Sequence, residues 1–112
     1  MGAENFMKER EKLNELVFNY AGLNIKRFFN LDSKVYEEGV LSKKIKELMG
    51  LVASMVLRCD DCISYHLIRC HEEKVSDREL EEAVSIALMV GGSITIPHIR
   101  KAFRFWSELK EE

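Results

Sequence analysis

Apolar residues recur every three or four positions along most of the chain, which is the spacing of one face of an α-helix. The first apolar stripe covers about residues 4–21 and contains Phe6, Leu13, Leu16, Val17 and Tyr20. Glycine, asparagine, serine and aspartate residues separate this stripe from the later ones, as they do at helix ends. No stretch alternates apolar and polar residues with the period of two that a strand requires. The sequence therefore predicts an all-α fold of about six helices.

Candidate capping residues mark the middle of the chain. Asp32 is the candidate cap of a short helix that carries Val35 and Tyr36 and stops at Gly39. Ser42 is the candidate cap of the next helix. The inward-facing positions predicted for that helix are Ile45, Leu48, Val52, Met55 and Val56.

The second half of the chain contains three more predicted helices. The first begins at Asp60 or Asp61 and runs to about residue 74. Ser76-Asp-Arg-Glu79 has the spacing of a capping box and opens a helix that continues to about residue 90. The pair Gly91-Gly92 ends that helix, and a last helix covers about residues 93–109.

The size and composition are those of a single globular domain over residues 1–112, with 46% hydrophobic and 32% charged residues. The net charge is -2 and the basic residues are interspersed with acidic ones, so no nucleic-acid partner is expected. The longest uncharged run, residues 86–98, is too short to cross a bilayer, so no membrane partner is expected either. The N-terminal residues lack an apolar signal core, which favours a cytoplasmic location.

The predicted helices carry more large apolar side chains than one face of each helix can bury in so small a core. The excess is most evident among the aromatic residues Phe28, Phe29, Phe103, Phe105 and Trp106. We therefore expect the chain to assemble with copies of itself.

Candidate chemistry is concentrated in the segment Cys59-Asp-Asp-Cys62-Ile-Ser-Tyr-His66. Two thiols three residues apart at the start of a helix can form a disulfide with only a small local adjustment. In an intracellular protein such a pair is more typical of redox chemistry or metal binding than of a permanent cross-link. The two intervening aspartates need water, which argues against two cysteines that serve only as small apolar core residues.

The two cysteines have different neighbours that can activate them. Cys62 and His66 are four residues apart on one helix face, so the imidazole can assist that thiol as a base. Cys59 lies at the predicted helix N-terminus, whose free amides and dipole stabilise a thiolate. This arrangement suits a division of roles in which one thiol attacks and the other resolves.

A metal site is the main chemical alternative for this segment. Cys59, Cys62, His66 and Cys70 all fall on one helix face. However, the eleven residues between the first and the last span about 16 Å, and zinc–ligand bonds are only about 2.0–2.3 Å long. One ion cannot collect all four ligands from one helix. A site that combines Cys62 and His66 with ligands from elsewhere is possible, but the sequence offers no second ligand pair of good spacing. We therefore expect no metal and assign Cys70 to the core.

Glu47 lies twelve residues before Cys59. It shares one face of its helix with three small or apolar residues, Gly50, Leu51 and Ser54. That face can approach another helix closely, and a half-buried carboxyl group there is suited to acid–base chemistry. His98, on the last helix, either lines the same cavity or packs at the surface, and the second interpretation is favoured.

Glu47 followed by Cys59-x-x-Cys62-x-x-x-His66 resembles the core motif of the AhpD-like alkylhydroperoxidases in the carboxymuconolactone decarboxylase superfamily. Residues 39–48 are similar to the stretch that precedes the catalytic glutamate of those proteins. Residues 87–92, followed by a helix with His98, are similar to their closing segment. The resemblance covers about residues 25–105.

The resemblance implies an all-helical homo-trimer or homo-hexamer and a thiol-dependent peroxidase or disulfide oxidoreductase activity. It implies a proton relay from Glu47 through water and His66 to Cys62, which attacks the peroxide. Cys59 then resolves the sulfenic acid to a disulfide, which a dithiol donor such as a lipoyl or thioredoxin-like protein reduces. No cofactor is needed for this cycle.

Two other functions stay open at the level of sequence. One is a decarboxylase-like lyase that acts on a small carboxylated lactone, with Arg58, Arg69 and Arg100 as a carboxylate clamp. The superfamily's decarboxylases typically lack the redox pair, which places this reading second. The other is a non-enzymatic helical assembly module. Peroxide-dependent oxidation of a dithiol distinguishes the peroxidase from both.

The residues between the cysteines depart from the pattern of some AhpD-like proteins, which carry a histidine there. Asp60 and Asp61 are expected to repel negative charge on either sulfur. The disulfide carries no charge and escapes this repulsion. The aspartates therefore predict a stable disulfide and a reducing couple that requires a strong dithiol donor.

Overall fold

The computed structural model describes residues 2–111 and confirms the all-α prediction, since that range contains six α-helices, one short 3-10 helix and no strand. The helices are α1 (Gly2–Tyr20), α2 (Leu23–Val35), α3 (Lys43–Val56), α4 (Asp60–Glu72), α5 (Asp77–Gly91) and α6 (Ile96–Glu111), and the 3-10 helix covers Ser93–Thr95. Within the described range, no helix combines the length and the apolar character that a membrane span requires.

The capping predictions for α3 and α5 are confirmed by side-chain hydrogen bonds. Ser42 Oγ accepts a hydrogen bond from the Ile45 amide at 3.2 Å. At the start of α5, Ser76 Oγ accepts from the Glu79 amide at 3.1 Å, and Glu79 Oε1 accepts from the Ser76 amide at 2.8 Å. These bonds satisfy amides that have no partner inside the helix.

The prediction that Asp32 caps a short helix is wrong. Asp32 lies inside α2, which begins after Gly22 and ends at Val35, and Tyr36 to Ser42 form a non-helical connection. An exposed aspartate costs a helix interior only a fraction of a kcal/mol, less than the roughly 1 kcal/mol of a glycine. The helix boundary predicted just before Asp32 is absent, and the break in the chain follows Val35 instead.

The core is a hairpin of α3 and α4 that packs against α5 and α6. On α3 the fully buried apolar residues are Leu51 and Met55, whereas Ile45, predicted to face inward, is 46% exposed. The buried face of α3 also contains Glu47 and Ser54. Of the other residues predicted to face inward, Leu48, Val52 and Val56 are partly buried and pack against the core, so Ile45 alone departs from the prediction. The face that sequence reasoning assigned to Glu47 is the face that contacts α4.

The apolar faces of α1 and α2 lie largely in solvent in the single chain. No residue of α2 is buried. Exposed large side chains on the two helices are Leu13, Leu16, Val17, Phe18, Tyr20, Leu23, Ile25, Phe28, Leu31 and Val35. Phe6 packs against the core, whereas the rest of the apolar stripe on α1 has no cover within residues 2–111 of this chain.

Candidate active site

The turn between α3 and α4 brings the two cysteines together at the N-terminus of α4. Arg58 takes a positive φ of 60°, and the Cys59 amide donates to the Ser54 carbonyl at 3.0 Å. Cys59 is the N-cap residue, and its Sγ accepts a hydrogen bond from the Cys62 amide at 3.2 Å. A disulfide joins Cys59 and Cys62, whose Cα atoms are 5.3 Å apart, within the range common for disulfides.

The surroundings of the two sulfurs differ. Cys62 is exposed, whereas Cys59 is half-buried. Cys59 occupies the position at which free amides of the helix stabilise negative charge. Cys62 is the sulfur that a molecule from solvent can reach more readily.

Glu47 and His66 form a buried pair between α3 and α4. His66 Nδ1 lies 2.8 Å from Glu47 Oε1, and the two residues are only 8% and 2% exposed. Glu47 is therefore more deeply buried than the half-buried position expected from its sequence. The contact is direct, whereas the resemblance implied a water between the two side chains.

This pair assigns roles to the two ring nitrogens of His66. A carboxylate only accepts hydrogen bonds, so Nδ1 carries the proton and donates to Glu47. In the neutral ring, Nε2 then has a free lone pair that can accept a proton. Cys62 lies one turn before His66 on the same face of α4. A neutral imidazole whose second nitrogen is free is suited to accept a proton from a thiol at that turn.

Two tyrosine rings flank His66, and sequence reasoning did not assign a role to either. The ring centroids of Tyr36 and Tyr65 each lie 5.4 Å from that of His66. The Tyr65 hydroxyl accepts a hydrogen bond from Arg69 Nε at 3.0 Å. Tyr65 directly precedes His66 in the chain, so its position near the imidazole could have been predicted from the sequence. Tyr36 lies at the end of α2, and nothing in the sequence near it indicates a contact with His66.

His98 does not join the Glu47–His66 pair. Its Nδ1 lies 2.7 Å from Asp60 Oδ1, and Lys101 Nζ lies 3.2 Å from Asp60 Oδ2. The hydrogen bond from His98, together with the bond and charge of Lys101, holds the pKa of Asp60 below its usual range. Sequence reasoning assumed that Asp60 acts as a free charge beside the sulfurs. The structure instead pairs Asp60 with His98 and Lys101 of α6.

This tie changes the expected contribution of each aspartate to the redox potential. Replacing Asp60 with asparagine removes a negative charge but also releases the Lys101 ammonium to solvent, so the two changes partly cancel. Asp61 is exposed and has no such partner among the contacts of the described residues. We expect Asp61→Asn to raise the reduction potential of the 59–62 disulfide and Asp60→Asn to raise it less.

Equilibration of each variant against glutathione buffers measures these potentials. The double variant, Asp60→Asn with Asp61→Asn, should show the largest increase. A potential that falls, or that responds more to Asp60→Asn than to Asp61→Asn, would show that the tie to α6 does not screen Asp60.

Cys70 lies in the core, as predicted, and is not part of the redox pair. It is fully buried on α4, and this burial, with the nearby Glu47 charge, raises the pKa of its thiol to about 12. A thiol with so high a pKa is a poor nucleophile at neutral pH. Among residues 2–111, no group of three or more histidine, cysteine, aspartate or glutamate side chains is arranged to hold a metal ion.

Comparison with known proteins adds to this geometry. The model of the carboxymuconolactone decarboxylase family matches residues 25–105. Two crystal structures from Thermotoga maritima are similar to the chain over 96% of its length. One is 61% identical to this chain with a TM-score of 0.94, and the matched region covers 95% of that protein. The other is 62% identical to this chain with a TM-score of 0.92, and the matched region covers 91% of that protein.

The second Thermotoga structure is described as that of a carboxymuconolactone decarboxylase family protein with a suggested part in an antioxidative response. A Legionella pneumophila protein described as a member of the same family shares the fold, with a TM-score of 0.86 over 96% of both chains. Its identity to this chain is 20%, so that likeness concerns the fold alone.

Proposed function

Because the chain belongs to the carboxymuconolactone decarboxylase family, we propose that it is a thiol-dependent peroxidase or disulfide oxidoreductase of the AhpD-like type. The observation that carries this proposal is the disulfide between Cys59 and Cys62 at the start of a helix whose next turn holds His66, paired with a buried glutamate. The suggested antioxidative role of the Thermotoga relative agrees with it.

The first half of the proposed cycle oxidises Cys62. His66 Nε2 takes the proton of the Cys62 thiol, and Glu47 stabilises the resulting imidazolium through Nδ1. The thiolate attacks one oxygen of the peroxide, and the O–O bond breaks. The departing oxygen takes the proton from His66, which leaves a sulfenic acid on Cys62 and releases an alcohol or water.

The second half regenerates the dithiol. The Cys59 thiol attacks the Cys62 sulfur, the hydroxyl group leaves as water, and the disulfide forms. An external dithiol then reduces this bond by exchange and is itself oxidised to a disulfide. A lipoyl or thioredoxin-like protein has the required chemistry, and the exposed Cys62 is the sulfur that it can attack.

One of the three arginines proposed for the lyase alternative, Arg69, is already engaged by side chains of its own helix. The Arg69 guanidinium is engaged by the Tyr65 hydroxyl at 3.0 Å and by Glu72 Oε1 at 2.8 Å. An arginine held in this way is not free to clamp a substrate carboxylate.

Mass spectrometry of the reduced protein after one equivalent of peroxide tests the proposal. We expect the loss of two hydrogen atoms, an intramolecular disulfide within the peptide that contains residues 59 and 62, and an unmodified Cys70. Turnover of peroxide with a dithiol donor should accompany this oxidation. A protein that keeps both thiols under these conditions would not be a peroxidase.

We also propose that the chain forms a homo-trimer or homo-hexamer in which α1 and α2 pack against neighbouring copies. The support is the exposed apolar surface of α2, which includes Phe28 at 70% and Leu31 at 59% exposure. Full burial of one such side chain contributes about 1.5–3 kcal/mol, and each copy would repeat the gain.

Replacing both residues, Phe28→Asp with Leu31→Asp, should therefore dissociate the assembly into monomers at micromolar concentration, as measured by light scattering. Asn30→Asp is the matched control, because it adds a charge to the same helix nearly opposite Phe28 and should leave the mass unchanged. A parent protein that is already monomeric and folded, by circular dichroism, would contradict the proposal.

A further inference from the structure

Gly50 on α3 is the point at which two side chains from other segments approach the α3 backbone. A Cβ atom at this position would lie 2.7 Å from the Tyr36 hydroxyl oxygen, 2.7 Å from His66 Cε1 and 2.9 Å from His66 Nε2. Such distances are shorter than real Cβ contacts, so glycine is what allows the approach. The Tyr36 hydroxyl and the Nε2 edge of His66 therefore border one small space.

That space adjoins Nε2, the ring nitrogen of His66 that does not contact Glu47. Since Nδ1 donates to Glu47 at 2.8 Å, Nε2 is the acceptor in the neutral ring. The structure shows no direct hydrogen bond between the Tyr36 hydroxyl and Nε2, and one bridging water held by that hydroxyl can supply the missing donor. Burial and the nearby Glu47 charge, with smaller effects of Asp32 and Tyr65, raise the pKa of Tyr36, which keeps its proton on the hydroxyl.

The segment that carries Tyr36 is fastened to α3 next to Glu47. Lys46 Nζ donates to the backbone carbonyl of Val35 at 2.9 Å and to that of Glu37 at 2.7 Å. These two carbonyls flank Tyr36, so the lysine clamps its backbone from both sides. The same turn of α3 therefore positions both Glu47 and Tyr36 against His66.

We propose that Tyr36 is a third, positioning member of the relay, whose hydroxyl holds a bridging water that donates a hydrogen bond to Nε2 of His66 while Cys62 is in the disulfide. In that state the Cys62 sulfur has no proton to donate, and the water held by the tyrosine satisfies the nitrogen. On reduction, the Cys62 thiol becomes a second donor for the same lone pair and transfers its proton there. The bridging water then gives up its hydrogen bond to Nε2, and no covalent bond of Tyr36 breaks.

The inference rests on the proposed redox cycle, and it predicts a role for one of two similar tyrosines. Tyr65 lies equally near His66, with its ring centroid also 5.4 Å away, but its hydroxyl accepts from Arg69 instead. Tyr65→Phe is therefore a matched control for Tyr36→Phe. Each substitution removes one oxygen and keeps the ring that packs against the histidine.

Nitrogen-15 NMR of the oxidised protein, labelled at histidine, tests the hydrogen bond without any turnover. In Tyr36→Phe we expect the Nε2 resonance of His66 to move downfield, toward that of an imine-type nitrogen without a donor. In Tyr65→Phe it should stay where it is in the parent protein. An unmoved resonance in Tyr36→Phe, or an equal movement in both variants, would overturn the inference.

Kinetics separate this inference from the proposed function. Losing one hydrogen bond to the relay should lower kcat/KM for peroxide about tenfold in Tyr36→Phe, with KM little changed and Tyr65→Phe close to the parent. If the parent consumes peroxide and Tyr36→Phe does so equally well, the positioning role is wrong. If the parent consumes none while the resonance of His66 still moves, the contact is supported and the peroxidase proposal fails.

Discussion

Cys62→Ser should reduce peroxide consumption to the uncatalysed background, whereas Cys59→Ser should stop after one sulfenic acid per chain. The reason is that only Cys62 lies one helical turn before His66, whose Nε2 can take the thiol proton. Serine keeps the size of the side chain but cannot form a reactive thiolate at neutral pH. In Cys59→Ser the attacking sulfur remains, and the sulfur that would resolve it is absent.

Dimedone trapping followed by mass spectrometry distinguishes the two variants. We expect an adduct on Cys62 in Cys59→Ser and no adduct in Cys62→Ser. Cys70→Ala is the matched control, since it removes the buried thiol outside the pair and should keep peroxide turnover. A trapped sulfenic acid on Cys59 in the Cys62→Ser protein, with turnover retained, would reverse the assignment and make the N-cap cysteine the nucleophile.

The second large effect is expected from the Glu47–His66 pair. Glu47→Gln and His66→Asn should each lower turnover by about a hundredfold, within the range of general acid–base catalysis. The turnover of the double variant should be only slightly lower than that of the less active single variant, because a proton relay broken at one member is already inactive. The 2.8 Å contact and the near-complete burial of both side chains are the physical basis for this non-additivity.

Steady-state rates against pH for the parent, both single variants and the double variant give the interaction energy directly. Circular dichroism must show intact helices, since a changed buried pair also affects stability. Glu38→Gln, an exposed glutamate outside the pair, serves as the control and should match the parent. Unchanged turnover and an unchanged pH–rate profile in Glu47→Gln would mean that the carboxyl group is only structural.

Much of the local architecture was accessible from the sequence because it depends on residues close together in the chain. Ser42 and Ser76 cap helices through bonds that span three residues. The face of α3 that includes Glu47 and Gly50 was identified from helical spacing and small side chains. The same short-range logic located Cys59 and Cys62 at the start of α4.

The sequence by itself thus determined the all-α fold and the serine caps of α3 and α5, since helical periodicity and capping act within a few residues. It also nominated Glu47, Cys59, Cys62 and His66 as candidate site residues, through their spacing and the family resemblance. Only the tertiary structure decided which residues from distant segments meet. It brought Tyr36 to His66 over Gly50, and it tied Asp60 to His98 across 38 residues. Such pairings depend on how helices rotate and cross against one another, and that is set by the packing of the whole core.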